Sequence, residues 1–284
     1  MAKIGIIGGS GLYQIDGLKH IKETKVATPF GEPSDSYIAG NLEGVEVVFL
    51  PRHGRGHRIL PTELNYKANI YGMKKLGVEQ IISISAVGSF KKELKPLDIV
   101  LPDQFVDRTN QARKTTFFGN GIAGHISFAE PVCMDLKDVI YNAGQDLGLA
   151  MHNKGTYLNM EGPAFSTKAE SRLYKSWGMD IIGMTNMPEA RLAREAEICY
   201  ATVAFVTDYD CWHKEIVTIE MVIENLTKNV ATAKNLVKKI VPGLAKAERK
   251  CACKDALKYA IITDKKLIPA RVKKDLDIII GKYI

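Results

Sequence analysis

Asp208-Tyr209-Asp210 sets two carboxylates two residues apart at the mouth of an apolar, β-branched run, Ala201 to Thr207. If strand geometry persists through them, both side chains point the same way and converge on one ligand. A carboxyl group there can donate a proton to a leaving group, because burial raises its pKa toward that task. The competing readings are an exposed acidic turn and a divalent-cation site, although no further Asp or Glu cluster supplies the oxygen ligands that a hard cation wants. Gly8-Gly9-Ser10-Gly11 follows another such run, so its amides and one hydroxyl either close around a phosphate or make a tight turn. Gln14 stands where a dinucleotide fingerprint requires Gly or Ala, and no Gly-Lys-Ser or Gly-Lys-Thr follows to make a P-loop. Arg52-His53 offers a free phosphate dianion a planar fork and a second positive or donor group. Arg55, His57 and Arg58 crowd the same loop, which otherwise reads as solvated and basic. Ser85-Ala86-Val87-Gly88 and Thr185 add hydroxyls and amides.

All of these groups follow candidate strands, the edge of an α/β sheet where ligands bind. The strands are expected at Lys3 to Ile7, Val45 to Leu50, Gln80 to Ser85, Ile99 to Leu101, Gly155 to Asn159, Asp180 to Met184 and Ala201 to Thr207. Longer amphipathic segments alternate with them, the pattern of an α/β domain. One helix is expected over Glu63 to Leu76, stopping at Gly77. Another opens on the capping-box pair Thr167 and Glu170 and ends near Trp177 and Gly178. Pro188 suits the first turn of a third, running through Arg191 and Arg194. Ile219 to Ile240 carries Met221, Val222, Leu226, Val230, Ala233, Leu236 and Val237 in helical rotation.

The 284 residues, 46% of them hydrophobic, suffice for one large core, so a single domain over 1–284 is expected, with a basic C-terminal extension from about 243. Most of the net charge of +7 lies in that extension: Leu244 to Ile284 holds 11 Lys and Arg against 5 Asp and Glu, leaving 28 against 27 elsewhere. A basic tail of this kind reads as a solvated surface that biases the protein toward anions. It lacks the aromatic-interleaved patch of a nucleic-acid binder. No stretch approaches the roughly 18 apolar residues of a membrane helix, and the amino terminus lacks the pattern of a secretion signal. A cytoplasmic, soluble protein is expected. Cys133, Cys199, Cys211, Cys251 and Cys253 are too few and scattered for a disulfide scaffold. Cys251-Ala252-Cys253 has an unusual spacing for zinc and no second pair beside it, so free thiols or a disulfide are expected there rather than a metal.

The ordered motifs resemble those of the trimeric purine nucleoside phosphorylases, in their methylthioadenosine phosphorylase branch. The resemblance runs from about Gly5 to Val237 and rests on Gly-Gly-Ser-Gly at 8–11, Thr28-Pro29-Phe30-Gly31, Arg52-His53-Gly54, Asn65-Tyr66, Ala86-Val87-Gly88-Ser89, Glu161-Gly162-Pro163, Phe165-Ser166, Met184-Thr185 and Thr207-Asp208-Tyr209-Asp210-Cys211-Trp212. It implies one phosphorylase/hydrolase-like domain with a central mixed sheet flanked by helices. It further implies that Ser10, Arg52, His53, Ser85, Ala86 and Thr185 hold phosphate, that the Met184 main chain meets the ribose hydroxyls, and that Phe165, with Ser166 beside it, packs on the purine. Asp208 would be the catalytic acid and would face the base with Asp210. Ile219 and a neighbouring subunit's copy of His125 would border the 5'-methylthio group. Gly183 stands where some relatives carry Asn, and Ser10 and Ser85 where Thr is frequent.

On this reading phosphate attacks the anomeric carbon of the nucleoside while the base leaves, through an oxocarbenium-like state. Inorganic phosphate is then a co-substrate, no cofactor or metal is needed, and the assembly is a homotrimer or a dimer of trimers without nucleic acid or membrane. A 6-oxopurine nucleoside phosphorylase is the alternative, disfavoured because an ionised Asp208 accepts from a 6-amino group and offers nothing to a 6-oxo group. A non-catalytic nucleoside-binding protein is the other, disfavoured because Asp208 and the phosphate cluster are both kept.

Overall fold

The computed structural model describes residues 3–9, 11–110, 112–213 and 219–284. The chain runs β1 (Lys3–Gly8), β2 (Lys19–Thr24), β3 (Tyr37–Leu42), β4 (Val45–Pro51), α1 (Tyr66–Lys75), β5 (Val78–Ser89), β6 (Ile99–Val100), β7 (Gln104–Arg108) and α2 (Met134–Asp146). It continues with β8 (Met151–His152), β9 (Thr156–Met160), α3 (Lys168–Ser176), β10 (Ile181–Gly183), α4 (Asn186–Glu195), β11 (Cys199–Asp208), α5 (Ile219–Lys246), α6 (Ala270–Asp275) and α7 (Asp277–Ile280).

Alternation along the strands sorts the core into two layers. Ile4, Ile6, Val47 and Phe49 meet Leu136 and Ile140 of α2 and Leu236 and Ile240 of α5 on one face. Ile7, Val48 and Leu50 meet Ile70 of α1, Ala190 and Leu192 of α4, and Leu276 and Ile279 on the other. A sheet buried on both faces needs near-continuous apolar strands, which β1, β4 and β11 supply.

The sheet is mixed, as the resemblance implied, and it forks at β5. β1 pairs with β4 and β5 in parallel, and β11 lies parallel to β5 on the other side. Toward its end β5 also takes β10 antiparallel, through Ile181↔Ser89 and Ile182↔Gly88, while Gly88 pairs with Asp208 of β11. The fork therefore gathers the ends of three strands around one glycine.

The expected strands and helices exist with shifted ends. α1 starts at Tyr66 rather than Glu63, because Asn65 caps it by accepting from the Ala68 amide. The capping box is formed, with Thr167 N–H donating to Glu170 Oε2 at 2.7 Å and Glu170 N–H to Thr167 Oγ1 at 3.2 Å. β2, β3, β7, β8, α2, α6 and α7 had no expected counterpart. β2, Lys-His-Ile-Lys-Glu-Thr, is almost wholly exposed, so no apolar run marks it; pairing with β3 makes it a strand.

The boundary expected near 243 falls inside α5, which continues through Pro242 to Lys246. The following segment is not merely a solvated tail. Leu257, Ile268, Leu276, Ile279 and Ile280 are buried, and its lysines stay outside because apolar positions recur between them. The cysteine expectation also changes: the sulfurs of Cys133, Cys199, Cys251 and Cys253 all lie within 4.8 Å of one another, so Cys251 and Cys253 do have a second pair beside them. Among the described residues no helix is long and apolar enough to cross a membrane.

Candidate active site

Gly88 is the floor on which the two carboxylates meet. A methyl group there would lie 3.0 Å from Asp208 Oδ1 and 3.4 Å from Asp210 Cβ, so the absence of a side chain admits both acids. They do not get there by continued strand geometry, as expected from the sequence. β11 shifts register between Val206 and Asp208 and ends, and Asp210 opens a 3-10 turn with φ at 49°. Asp208 holds that turn: its Oδ1 accepts from the Asp210 amide at 2.8 Å and its Oδ2 from Thr207 Oγ1 at 2.7 Å. Burial pushes the Asp208 carboxyl above its ordinary pKa, against the opposing pull of these two bonds. Burial likewise raises Asp210, with the Asp208 charge adding to the effect. Asp210 Oδ2 is buried, and the one side-chain hydroxyl placed to donate to the Asp210 carboxyl among the described residues is that of Ser171, itself buried and otherwise unpaired.

Arg52 arrives at the same edge because its amide donates to Gly8 O at 2.9 Å, continuing the β1–β4 pairing. Its guanidinium is buried and bidentate to Glu189 of α4, Nε to Oε2 at 2.8 Å and Nη2 to Oε1 at 2.9 Å. Nη2 also donates to Ser83 Oγ at 2.6 Å and Nη1 to Ile84 O at 2.9 Å. The expected free positive fork is thus a buried pair of opposite charges, with one Nη1 hydrogen uncommitted among the described residues. Glu189 was missed from the sequence, where it is one of several charges in an amphipathic helix.

His53 departs from expectation in the same direction. Its Nδ1 lies 2.8 Å from Ile59 O, and a carbonyl only accepts, so Nδ1 carries the hydrogen and Nε2 is an acceptor in the neutral ring. Burial, then the Arg52 charge, lower its pKa to about 4, so near neutral pH it is neither positive nor a second donor. Ser85 and Thr185 are joined through Tyr157 of β9: Ser85 Oγ lies 3.2 Å from the Tyr157 hydroxyl, which also meets the Thr185 backbone. That hydroxyl explains Gly183, where a methyl group would sit 1.9 Å from it. Ala86 is exposed at the same strand end.

The Met184 carbonyl is held by Arg113, a residue no motif marked. Arg113 Nη1 donates to Met184 O at 2.7 Å and Met187 O at 2.8 Å, while Nε donates to Glu161 Oε1 at 3.0 Å. Glu161 precedes Gly162, whose φ is 72° and where a methyl group would press on Met184 Sδ at 2.5 Å. Glu161-Gly162-Pro163 therefore serves as the wall that fixes Met184. Ser166 is buried, and its carbonyl accepts from Cys211 Sγ at 3.1 Å, which ties it to the Asp210 turn.

Phe165 is 64% exposed. His125 is exposed, with its amide donating to Ala260 O at 2.8 Å, so it lies beside the C-terminal segment rather than with the carboxylates. Ile219 opens α5, whose Asn225 donates to Thr207 O at 2.8 Å, next to Asp208. Ser10 lies outside the described residues.

A sequence profile of the phosphorylase superfamily matches residues 3–242. The chain is 59% identical to the S-methyl-5'-thioadenosine phosphorylase of Geobacter sulfurreducens over 99% of both chains. It is 57% identical to that of Koribacter versatilis over 99% of this chain and 97% of the other. Among solved structures it resembles a methylthioadenosine phosphorylase from an antarctic soil metagenomic library, with a TM-score of 0.94, 48% identity and 98% of each chain covered. It also resembles a Schistosoma mansoni methylthioadenosine phosphorylase in complex with adenine, with a TM-score of 0.87, 35% identity, and 92% of this chain and 99% of the other covered.

Proposed function

The chain belongs to the phosphorylase superfamily, and from that membership we propose that it cleaves S-methyl-5'-thioadenosine with phosphate, releasing adenine and 5-methylthioribose 1-phosphate. The observation that carries the substrate is the carboxyl pair on Gly88. Asp210 Oδ2 is a buried acceptor with only the Ser171 hydroxyl beside it among the described residues, so a lone pair is left for a 6-amino group. Asp208, held protonated to higher pH by burial, supplies the proton that lets N7 of adenine leave neutral.

Phosphate sits between the ends of β1, β4 and β5, with the Ser85 and Thr185 hydroxyls, the Ala86 main chain and the Arg52 Nη1 hydrogen around it, and Ser10 is assigned to it by the sequence resemblance alone. Its own P–OH hydrogen goes to His53 Nε2, the acceptor left by the Ile59 bond. Because Glu189 offsets Arg52, hydrogen bonds rather than net positive charge hold the anion. A dianion retaining its charge stabilises the oxocarbenium that develops above it, as nucleophile and electrostatic partner together. The Met184 main chain, fixed by Arg113, meets the ribose hydroxyls, Phe165 with Ser166 covers the base, and the sequence resemblance assigns Ile219 to the 5'-methylthio group. The exposure of Phe165 and His125 fits a site completed by a neighbouring copy of the chain, in a trimer or a dimer of trimers. The same reading makes the enzyme cytoplasmic and free of cofactors.

The test is a kinetic comparison of methylthioadenosine with methylthioinosine at fixed phosphate. Higher kcat/KM for the 6-amino substrate is expected; preference for the 6-oxo substrate would replace this reading with the 6-oxopurine one.

A further inference from the structure

We propose that Cys133, Cys199, Cys251 and Cys253 bind one Zn2+ ion as four thiolates, at a site separate from the nucleoside machinery. Their four Sγ atoms lie within 4.8 Å of one another, and Cys199 Sγ is 3.3 Å from Cys251 Sγ. Tetrahedral zinc with four Zn–S bonds of about 2.3 Å holds its sulfurs about 3.8 Å apart, so the cluster is already close to the dimensions of a closed structural site.

The ligands come from three places in the fold. Cys133 caps the start of α2 and Cys199 is the first residue of β11, with the Cys133 amide donating to Tyr200 O at 2.9 Å. Cys251 and Cys253 come from the segment after α5. The single residue between them, which argues against zinc in the sequence, is accommodated by the backbone. Cys251 is extended, with φ −65° and ψ 154°, and the 3-10 turn Ala252–Asp255 begins at once, so both sulfurs join the same cluster.

Binding releases four protons, one from each thiol, and leaves a tetrathiolate complex of net charge 2−. Two guanidinium groups are placed to offset it. Arg249 lies within electrostatic reach of Cys199 and Cys251, and its Nε is buried without a partner among the described residues, a donor available to a thiolate sulfur. Arg194 stands in the same relation to Cys253. Cys211, the fifth thiol, is on the Asp210 turn and outside the cluster. The ion would cross-link α2, β11 and the C-terminal segment, clamping that segment to the body of the domain.

The experiment uses the full-length protein, purified under reducing conditions without chelator. Elemental analysis is expected to find about one zinc per chain. Protein stripped of metal, reduced and titrated with Co2+ should develop the intense visible bands of tetrahedral cobalt with sulfur-to-metal charge transfer, and alkylation of the zinc-loaded protein should label Cys211 alone. Cys253→Ser should weaken zinc binding by at least about tenfold. Should that variant fail to fold, the wild-type cobalt spectrum decides. Absence of zinc both on isolation and after reloading overturns the proposal, whether the cysteines are then found as five thiols or as disulfides, and so does iron in place of zinc.

Discussion

Asp208 is asked to do two things that pull its pKa in opposite directions. It accepts from Thr207 and from the Asp210 amide, which favours the carboxylate, and it lies buried, which favours the neutral form. Burial prevails, so the acid stays protonated to higher pH than an exposed carboxyl. Turnover of methylthioadenosine is therefore expected to fall as pH rises through that elevated pKa, and Asp208→Asn should remove this limb. General acid assistance contributes roughly 10²- to 10⁴-fold, so Asp208→Asn should lower kcat on methylthioadenosine by that order. Asparagine also offers a 6-oxo group a donor, so relative preference should move toward methylthioinosine. Steady-state kinetics of both nucleosides across pH checks all three effects; wild-type turnover in the variant would place the proton donor elsewhere.

At the scale of elements, α4 ties the phosphate side of the site to the rest of the molecule. Its Glu189 neutralises Arg52, and its last residue, Glu195, accepts from Thr116 Oγ1 at 2.7 Å and the Phe117 amide at 2.6 Å. Burial pushes Glu195 up to about 7 from an ordinary 4.5. A raised folded-state value means that the stability linked to this group is fully present below pH 4.5 and is lost as pH rises through 7, by about 3 kcal/mol at most. Glu195→Gln should flatten that loss, measured as the difference in urea midpoint between pH 5 and pH 8.5. An equal difference in wild type and variant would count against this role for Glu195.

Much of this scale was legible in the sequence. Capping residues, stop glycines and apolar strands announced α1, α3, α4 and the central strands, and the polar groups after the strands marked the edge proposed to bind. What escaped was whatever depends on a partner far along the chain. Arg113 and Glu189 gain their meaning only from Met184 and Arg52, 71 and 137 residues away. The direction of Asp210 depended on a register shift that no spacing records, and the cysteine cluster on the path of the C-terminal segment.

Over the whole molecule, one forked sheet carries the reacting groups, while His125 and Phe165 face outward. A site that borrows a neighbour's His125 is incomplete in a monomer, so light scattering at assay concentration should find a trimer or hexamer, and a fully active monomer would contradict that assembly. The central claim is that phosphate, not water, breaks the glycosidic bond. It is tested by incubating the purified protein with methylthioadenosine, with and without phosphate, and following base and sugar products together, the sugar by 31P NMR. Adenine and a sugar 1-phosphate are expected in equal amounts, with neither formed when phosphate is withheld; equal adenine release in phosphate-free buffer, with free methylthioribose as the sugar product, would contradict phosphorolysis.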